Sequence, residues 1–146
     1  MFGIVIDKMI ISMLDGNDPV VIRKEHPRNK SVASIKKSPD SNAIFVGYDS
    51  AGRGVETYMP DYHIGDIVFG KEKWRINSQL GSKNYGAVEY YSDYPESAAE
   101  LMKWCHPFTI PLEYIRYQMR VTDIHAELID GGFHFAYTLV KHKDGE

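Results

Sequence analysis

Residues 116–141, RYQMRVTDIHAELIDGGFHFAYTLVK, decide the fold. After the triplet Asp130-Gly131-Gly132, the residues Phe133, Phe135, Tyr137 and Leu139 recur at every second position. That is the period of a strand with one buried face. Before the triplet, Arg116 to Ile129 reads as one long strand. Asp-Gly-Gly between two such runs is the composition of a tight hairpin turn. The chain therefore closes on a β-hairpin, with an aromatic face to bury.

Working back from that hairpin, residues 2–6 (FGIVI) read as a strand. Asp7 then makes a helix N-cap, with Ile10, Met13 and Leu14 on one face and Gly16 as the stop. Pro19 opens a second extended run, VVIRKE, which ends near His26-Pro27. Residues 27–42 are polar and rich in Ser, Lys, Pro and Asn, and read as a mobile loop. A strand at 44–48 leads into a glycine-containing turn through 50–54. Asp66 to Trp74 (DIVFGKEKW) reads as one strand, in which Gly70 marks a bulge or a close backbone approach. Residues 76–86 form a second polar loop, followed by a short strand, AVEYY. Pro95 stands at the first position of a helix, SAAELMKW, that ends near Cys105. Phe108 to Pro111 is irregular. Strands with a few short helices point to α+β architecture: a small antiparallel β-barrel with short flanking helices, in a single domain over residues 1–146.

Composition agrees. With 146 residues, 43% hydrophobic and 25% charged, the chain matches an ordinary globular domain and carries enough apolar material to offset ordering entropy. Aromatics at 12% favour pleated surfaces. The formal net charge of -3 advertises no global field for nucleic acid. One cysteine, Cys105, excludes an internal disulfide and fits a reducing, cytoplasmic setting. The apolar run Met9–Leu14 is far shorter than the ~20 residues that span a bilayer, and neither a signal peptide nor a membrane partner is expected.

Several segments, in order, resemble the ASCH-type domains of bacteriophages, members of the PUA-like β-barrel superfamily. Leu14-Asp15-Gly16 and Arg23 sit at the spacing of the family's L-D-G and K-T-x-T-R segments. Pro60–Asp66 (PDYHIGD) supplies its P-x-x-x-x-G-D turn, and 68–74 (VFGKEKW) its following strand, with Lys71, Glu72 and Trp74 in register. Trp104, Ile110-Pro111, Arg116 and Val121-Thr122-Asp123-Ile124 follow its C-terminal pattern. The resemblance covers roughly residues 3 to 140 and rests on the conjunction of these motifs. Some members are amidohydrolases that use a Lys and a Thr of K-T-x-T-R together with a Glu. Here Pro19, Val20 and Ile22 fall at those Lys and Thr positions, and they offer neither an amine base nor a hydroxyl nucleophile. The family's C-terminal helix is replaced by the Asp130–Gly132 turn.

The resemblance implies a ligand cleft beside the barrel, built from Arg23, Lys71, Glu72, Trp74 and Arg116. Arginines grip phosphate or a base edge, tryptophan stacks, and a carboxylate accepts from an exocyclic amine. Set against this, Lys71 and Glu72 also read as strand-face charges, Trp74 as core, and Arg116 as the partner of a local carboxylate. Residues 22–37 carry six basic residues against Glu25 alone, either a phosphate-gripping arm or a solvated loop. Cys105-His106 has no second cysteine near it and no zinc spacing; it reads as a buried thiol beside a partly exposed imidazole, and no metal or cofactor is expected. The tyrosines at 90, 91, 94, 114 and 117 could stack bases or fill a partner's groove, and most of them read as barrel packing with hydroxyls at the rim. Gly47–Gly54 lacks a P-loop ending and reads as a hairpin turn.

The expected function is non-catalytic recognition of a nucleotide or nucleic acid, RNA or a modified base, in the cleft. Two other classes stay open. One is a hydrolase or nuclease acting on nucleosides or RNA through Lys71 and Glu72. The other is a phage accessory protein that sequesters a nucleotide signal or binds a host protein. The oligomeric state is not legible in the sequence.

Overall fold

The computed structural model describes residues 2–27, 31–77, 87–129 and 132–143. Among the described residues, half are strand, two segments are α-helix, and one sheet curls into a half-barrel. In chain order the elements are β1 (Phe2–Val5), α1 (Lys8–Asp15), β2 (Val20–His26), β3 (Ser34–Ser38), β4 (Ser41–Tyr48), β5 (Gly54–Tyr58), β6 (Ile67–Lys71), β7 (Trp74–Asn77), β8 (Ala87–Tyr90), α2 (Glu96–Ala99), β9 (Tyr117–Ile129) and β10 (Gly132–Lys141). Single 3-10 turns lie at Tyr91–Asp93, Pro107–Thr109 and Leu112–Tyr114.

The chain forms two compact units. The first comprises Met1–Asp18, Ile67–Met119 and Lys141–Glu146, the second Pro19–Asp66 and Arg120–Val140. In the first, β1 pairs in parallel with β6, Ile4 opposite Gly70. Gly70 is where the chains approach closely. A Cβ there would stand 2.5 Å from Ile6 Cδ1 and 3.2 Å from Tyr117 Cβ, so only glycine fits without displacement. The Asp7 carboxylate accepts from Ile10 N at 2.9 Å and caps α1, whose Ile11 and Leu14 are buried. Gly16 closes the helix, and Asn17 takes the left-handed conformation at φ 58° that Asn tolerates well.

In the second unit, β10 pairs antiparallel with β2, Phe133 opposite His26 and Leu139 opposite Val20. Phe133, Phe135, Tyr137 and Leu139 are each 1% exposed, as the alternation requires. Phe135 meets Phe133 at 4.7 Å and Phe45 at 5.0 Å between ring centroids, and Tyr137 meets Tyr62 at 5.0 Å. Each such ring contributes about 1.5–3 kcal/mol by leaving water. The strands β3, β4 and β5 form an antiparallel meander.

Several expectations are corrected. Pairing is not wholly antiparallel, because β1 and β6 run the same way. The stretch read as a loop at 27–42 contains β3 and the start of β4. Lys36 and Lys37 are exposed on β3, which ends its sheet, so the strand is held by backbone pairing to β4 and carries no apolar alternation. At β5 only Tyr58 is buried, which hid that strand in the same way. The run 66–74 is two strands, interrupted at Glu72-Lys73.

The helix expected up to Cys105 is a single turn, with Pro95 as its cap. Trp104 Nε1 donates to the Ala99 carbonyl at 2.9 Å, an acceptor that a longer helix would use for itself. Cys105 N donates to Trp74 O at 2.8 Å, and Leu101 is 89% exposed, so continued helix would bury nothing. Of the loop read at 76–86, Ile76 and Asn77 belong to β7, paired with β8; the rest of it, 78–86, and the turn residues Asp130-Gly131 lie outside the described residues.

Candidate functional site

The site grows from the end of β6. The period that buries Val68 and Gly70 continues to Glu72, which is 2% exposed. A carboxylate so buried destabilises the fold by several kcal/mol unless it is paired and hydrogen-bonded. Arg116, just before β9, supplies the pair. Its Nη2 reaches Glu72 Oε1 at 2.6 Å and its Nε reaches Oε2 at 3.0 Å, the two-pronged geometry that guanidinium and carboxylate share.

The rest of the guanidinium is also taken. Nη1 donates to both carboxylate oxygens of Asp93, at 3.1 and 2.9 Å, and Nη2 to Ser92 Oγ at 3.2 Å. All three of its nitrogens thus donate to the protein's own acceptors. The Ser92 hydroxyl in turn donates to Glu72 Oε1 at 3.2 Å. Arg116 Cζ lies 3.7 Å from the centroid of Tyr90, whose hydroxyl donates to the Tyr114 carbonyl. Burial pulls the guanidinium pKa down, but hydrogen bonds and charge from Glu72, then Asp93, more than reverse this and hold it above its ordinary value. Next to it, the Tyr117 phenol is pushed up to about 12, by burial first and then by donation to Asp15 at 2.9 Å.

A cavity of about 120 Å³ adjoins Glu72 and Ser92. Ile6, Ile11 and Pro107, all buried, give it apolar walls, and Tyr91 adds an aromatic ring. Val5, Lys8 and Lys73 also line it, and all three are exposed, which marks its solvent side. Lys8 Nζ donates to Tyr94 O at 2.6 Å, and Lys73 Nζ stands 4.7 Å from the Tyr91 centroid. The elements explain this convergence. α1 brings Lys8 and Ile11, the break between β6 and β7 brings Glu72 and Lys73, and the 3-10 turn after β8 brings Tyr91 and Ser92.

Of the five residues expected from the sequence, Glu72 and Arg116 are in direct contact. Lys71 turns away from Glu72 by strand alternation, its Nζ 5.4 Å from the Phe108 centroid. Trp74 donates through Nε1 to Thr109 Oγ1 at 3.1 Å and tilts against Tyr114 at 5.9 Å. Arg23 belongs to the second unit, where its Nε meets Glu127 Oε2 at 2.8 Å. Glu127 also meets His125 Nε2 at 2.7 Å; its hydrogen bonds, first to Arg23 and then to His125, hold it below the usual carboxylate range.

Within the basic segment, Lys24 binds Asp61 and Tyr62 OH, both at 3.2 Å, while Arg28 and Lys30 lie outside the described residues. Cys105 is exposed, against the expected buried thiol, because the helix expected to run up to it ends at Ala99. His106 stacks on Phe108 at 5.2 Å. Sequence reasoning missed Lys8, Lys73, Ser92 and Asp93, and named Tyr91 only within the tyrosine-dense stretch, not as part of the cleft. The one signal available was the polar Ser92-Asp93 pair directly after an apolar strand.

Among the described residues, no group of three or more His, Cys, Asp or Glu could hold a metal ion. No helix among them is long and apolar enough to cross a membrane. Comparisons of the chain with protein-family models, with curated proteins and with solved structures find no match.

Proposed function

We propose that the protein recognises a nucleotide, free or within an RNA chain, at the Glu72 cavity, and that recognition needs no catalysis. The observation that carries this reading is the cavity itself: apolar walls and an aromatic ring around a buried carboxylate, with two ammonium groups on the solvent side. Apolar walls and Tyr91 suit a planar base, and Lys8 and Lys73 suit phosphate. Arg116 serves the site by holding Glu72 and Ser92 in place, since each of its nitrogens already donates to the protein. The resemblance to ASCH-type domains adds the finer fold assignment, a PUA-like barrel, and a setting in the cytoplasm of a phage-infected host.

The test is native mass spectrometry of the protein with nucleoside monophosphates and short oligoribonucleotides. A stoichiometric adduct is expected, with affinity reduced about a hundredfold or more in the double variant Lys8→Ala/Lys73→Ala, since each lost charge-assisted contact to phosphate weakens binding by roughly 1.5–3 kcal/mol. An unshifted mass with every nucleotide and oligomer would overturn the proposal and turn the search toward a protein partner.

A further inference from the structure

An exposed aromatic pair adjoins the cavity. Phe108 is 61% exposed, and His106 stacks on it with ring centroids 5.2 Å apart and planes 22° from parallel. Local backbone chemistry sets the pair. His106 caps the 3-10 turn at Pro107–Thr109, its Nδ1 accepting from Phe108 N at 3.2 Å. A neutral ring so held carries its proton on Nε2, as a donor. Lys71 completes the group. Its stem lies against Gly3, where a Cβ would stand 2.4 Å from Lys71 Cε, and its Nζ lies 5.4 Å from the Phe108 centroid. Two links join this surface to the cavity. Pro107, between the two rings in sequence, is buried in the cavity wall. Val5, exposed on the cavity's solvent side, is the register partner of Lys71 across β1 and β6, so both side chains share a face.

We infer that the ligand is a single-stranded segment of at least two nucleotides: one base enters the cavity, and its neighbour stacks on the Phe108–His106 pair, with Lys71 beside the connecting phosphate. This rests on the nucleotide reading above and adds to it a second base subsite, which a free mononucleotide leaves empty. Exposed aromatic rings beside an ammonium group are the means by which proteins hold single strands. Every base has a π-face, so this subsite selects for a strand and not for a sequence. The charge favours a strand over an apolar protein partner, which would cover Lys71 without supplying a counter-charge.

The experiment measures affinity by calorimetry for the nucleoside 5′-monophosphate and the 5′-phosphorylated homodinucleotide of each of the four RNA bases. The same dinucleotides with the 5′ or the 3′ base removed keep the phosphates and lack one base. For the bases that bind, the intact dinucleotide is expected to bind about tenfold tighter or more than the mononucleotide, and removal of either base to abolish that gain. Equal affinity of mononucleotide and dinucleotide, or a gain kept without the second base, overturns the inference and leaves the nucleotide reading standing. No binding of any of them overturns both. The variant His106→Ala/Phe108→Ala, which replaces two exposed side chains, is expected to lose the gain with mononucleotide affinity unchanged. A gain kept in that variant overturns the inference, and so does a parallel loss of mononucleotide affinity, which would merge the two subsites into one.

Discussion

Arg116 and Glu72, separated by 44 positions in the chain, form a two-pronged ion pair with one partner 2% exposed. The arginine side chain is itself 30% exposed and also holds Asp93, which is 52% exposed. The two acids are therefore unequal. Glu72 is almost cut off from water in the folded protein, whereas Asp93 is half exposed.

That inequality sets the cost of breaking each contact. Arg116→Ala leaves a buried charge without compensation and should destabilise the fold by about 3–5 kcal/mol. Asp93→Ala should cost at most about 1 kcal/mol, as for exposed pairs. The double replacement Arg116→Met/Glu72→Met should recover most of the loss, because no charge then stays buried. Urea denaturation reads all three as shifts in midpoint at constant slope.

Two glycines separate crowding from backbone strain. Gly70→Ala meets Ile6 and Tyr117 and should destabilise by about 1–3 kcal/mol through overpacking. Gly65→Ala meets nothing within 4 Å, but the backbone there has φ 95°. Its cost should be near 1 kcal/mol, from conformation alone. Trimming the neighbour with Ile6→Val in the Gly70→Ala background should relieve part of the first loss, as a thermal unfolding series would show.

Alkaline pH should weaken the fold partly through Tyr117. The free phenol ionises near 10, whereas the folded one, raised by burial and by its bond to Asp15, ionises at about 12. Its contribution is therefore fully present below pH 10 and is lost as pH rises through 12. Burial, and for Tyr94 its bond to Glu89, raises the Tyr90, Tyr94 and Tyr137 phenols as well, so the decline has several sources. Tyr117→Phe should make it shallower, and ultraviolet titration of the folded protein should lose one late-ionising phenol.

Cys105 should be open to reagent. Its residue is exposed, so a disulfide-exchange chromogen should titrate one thiol in the native protein as fully as in denaturant. Reaction only after unfolding would contradict that exposure.

Local sequence was a good guide wherever burial follows a short period. Alternation over 133–139 placed four side chains in the core, Asp7 and Gly16 bounded α1, and Gly70 marked a close approach. Alternation in DIVFGKEK also marks Glu72 as inward-facing, since it shares the parity of Val68 and Gly70. Tertiary structure alone decided what neutralises that carboxylate. It also decided that the polar segment 34–38 is a strand, that β1 runs parallel to β6, and that the helix after Pro95 stops at Ala99. The reason is physical. The period of a segment states which face is buried, but a partner 44 positions away, or a backbone pairing that buries no side chain, depends on register between distant segments.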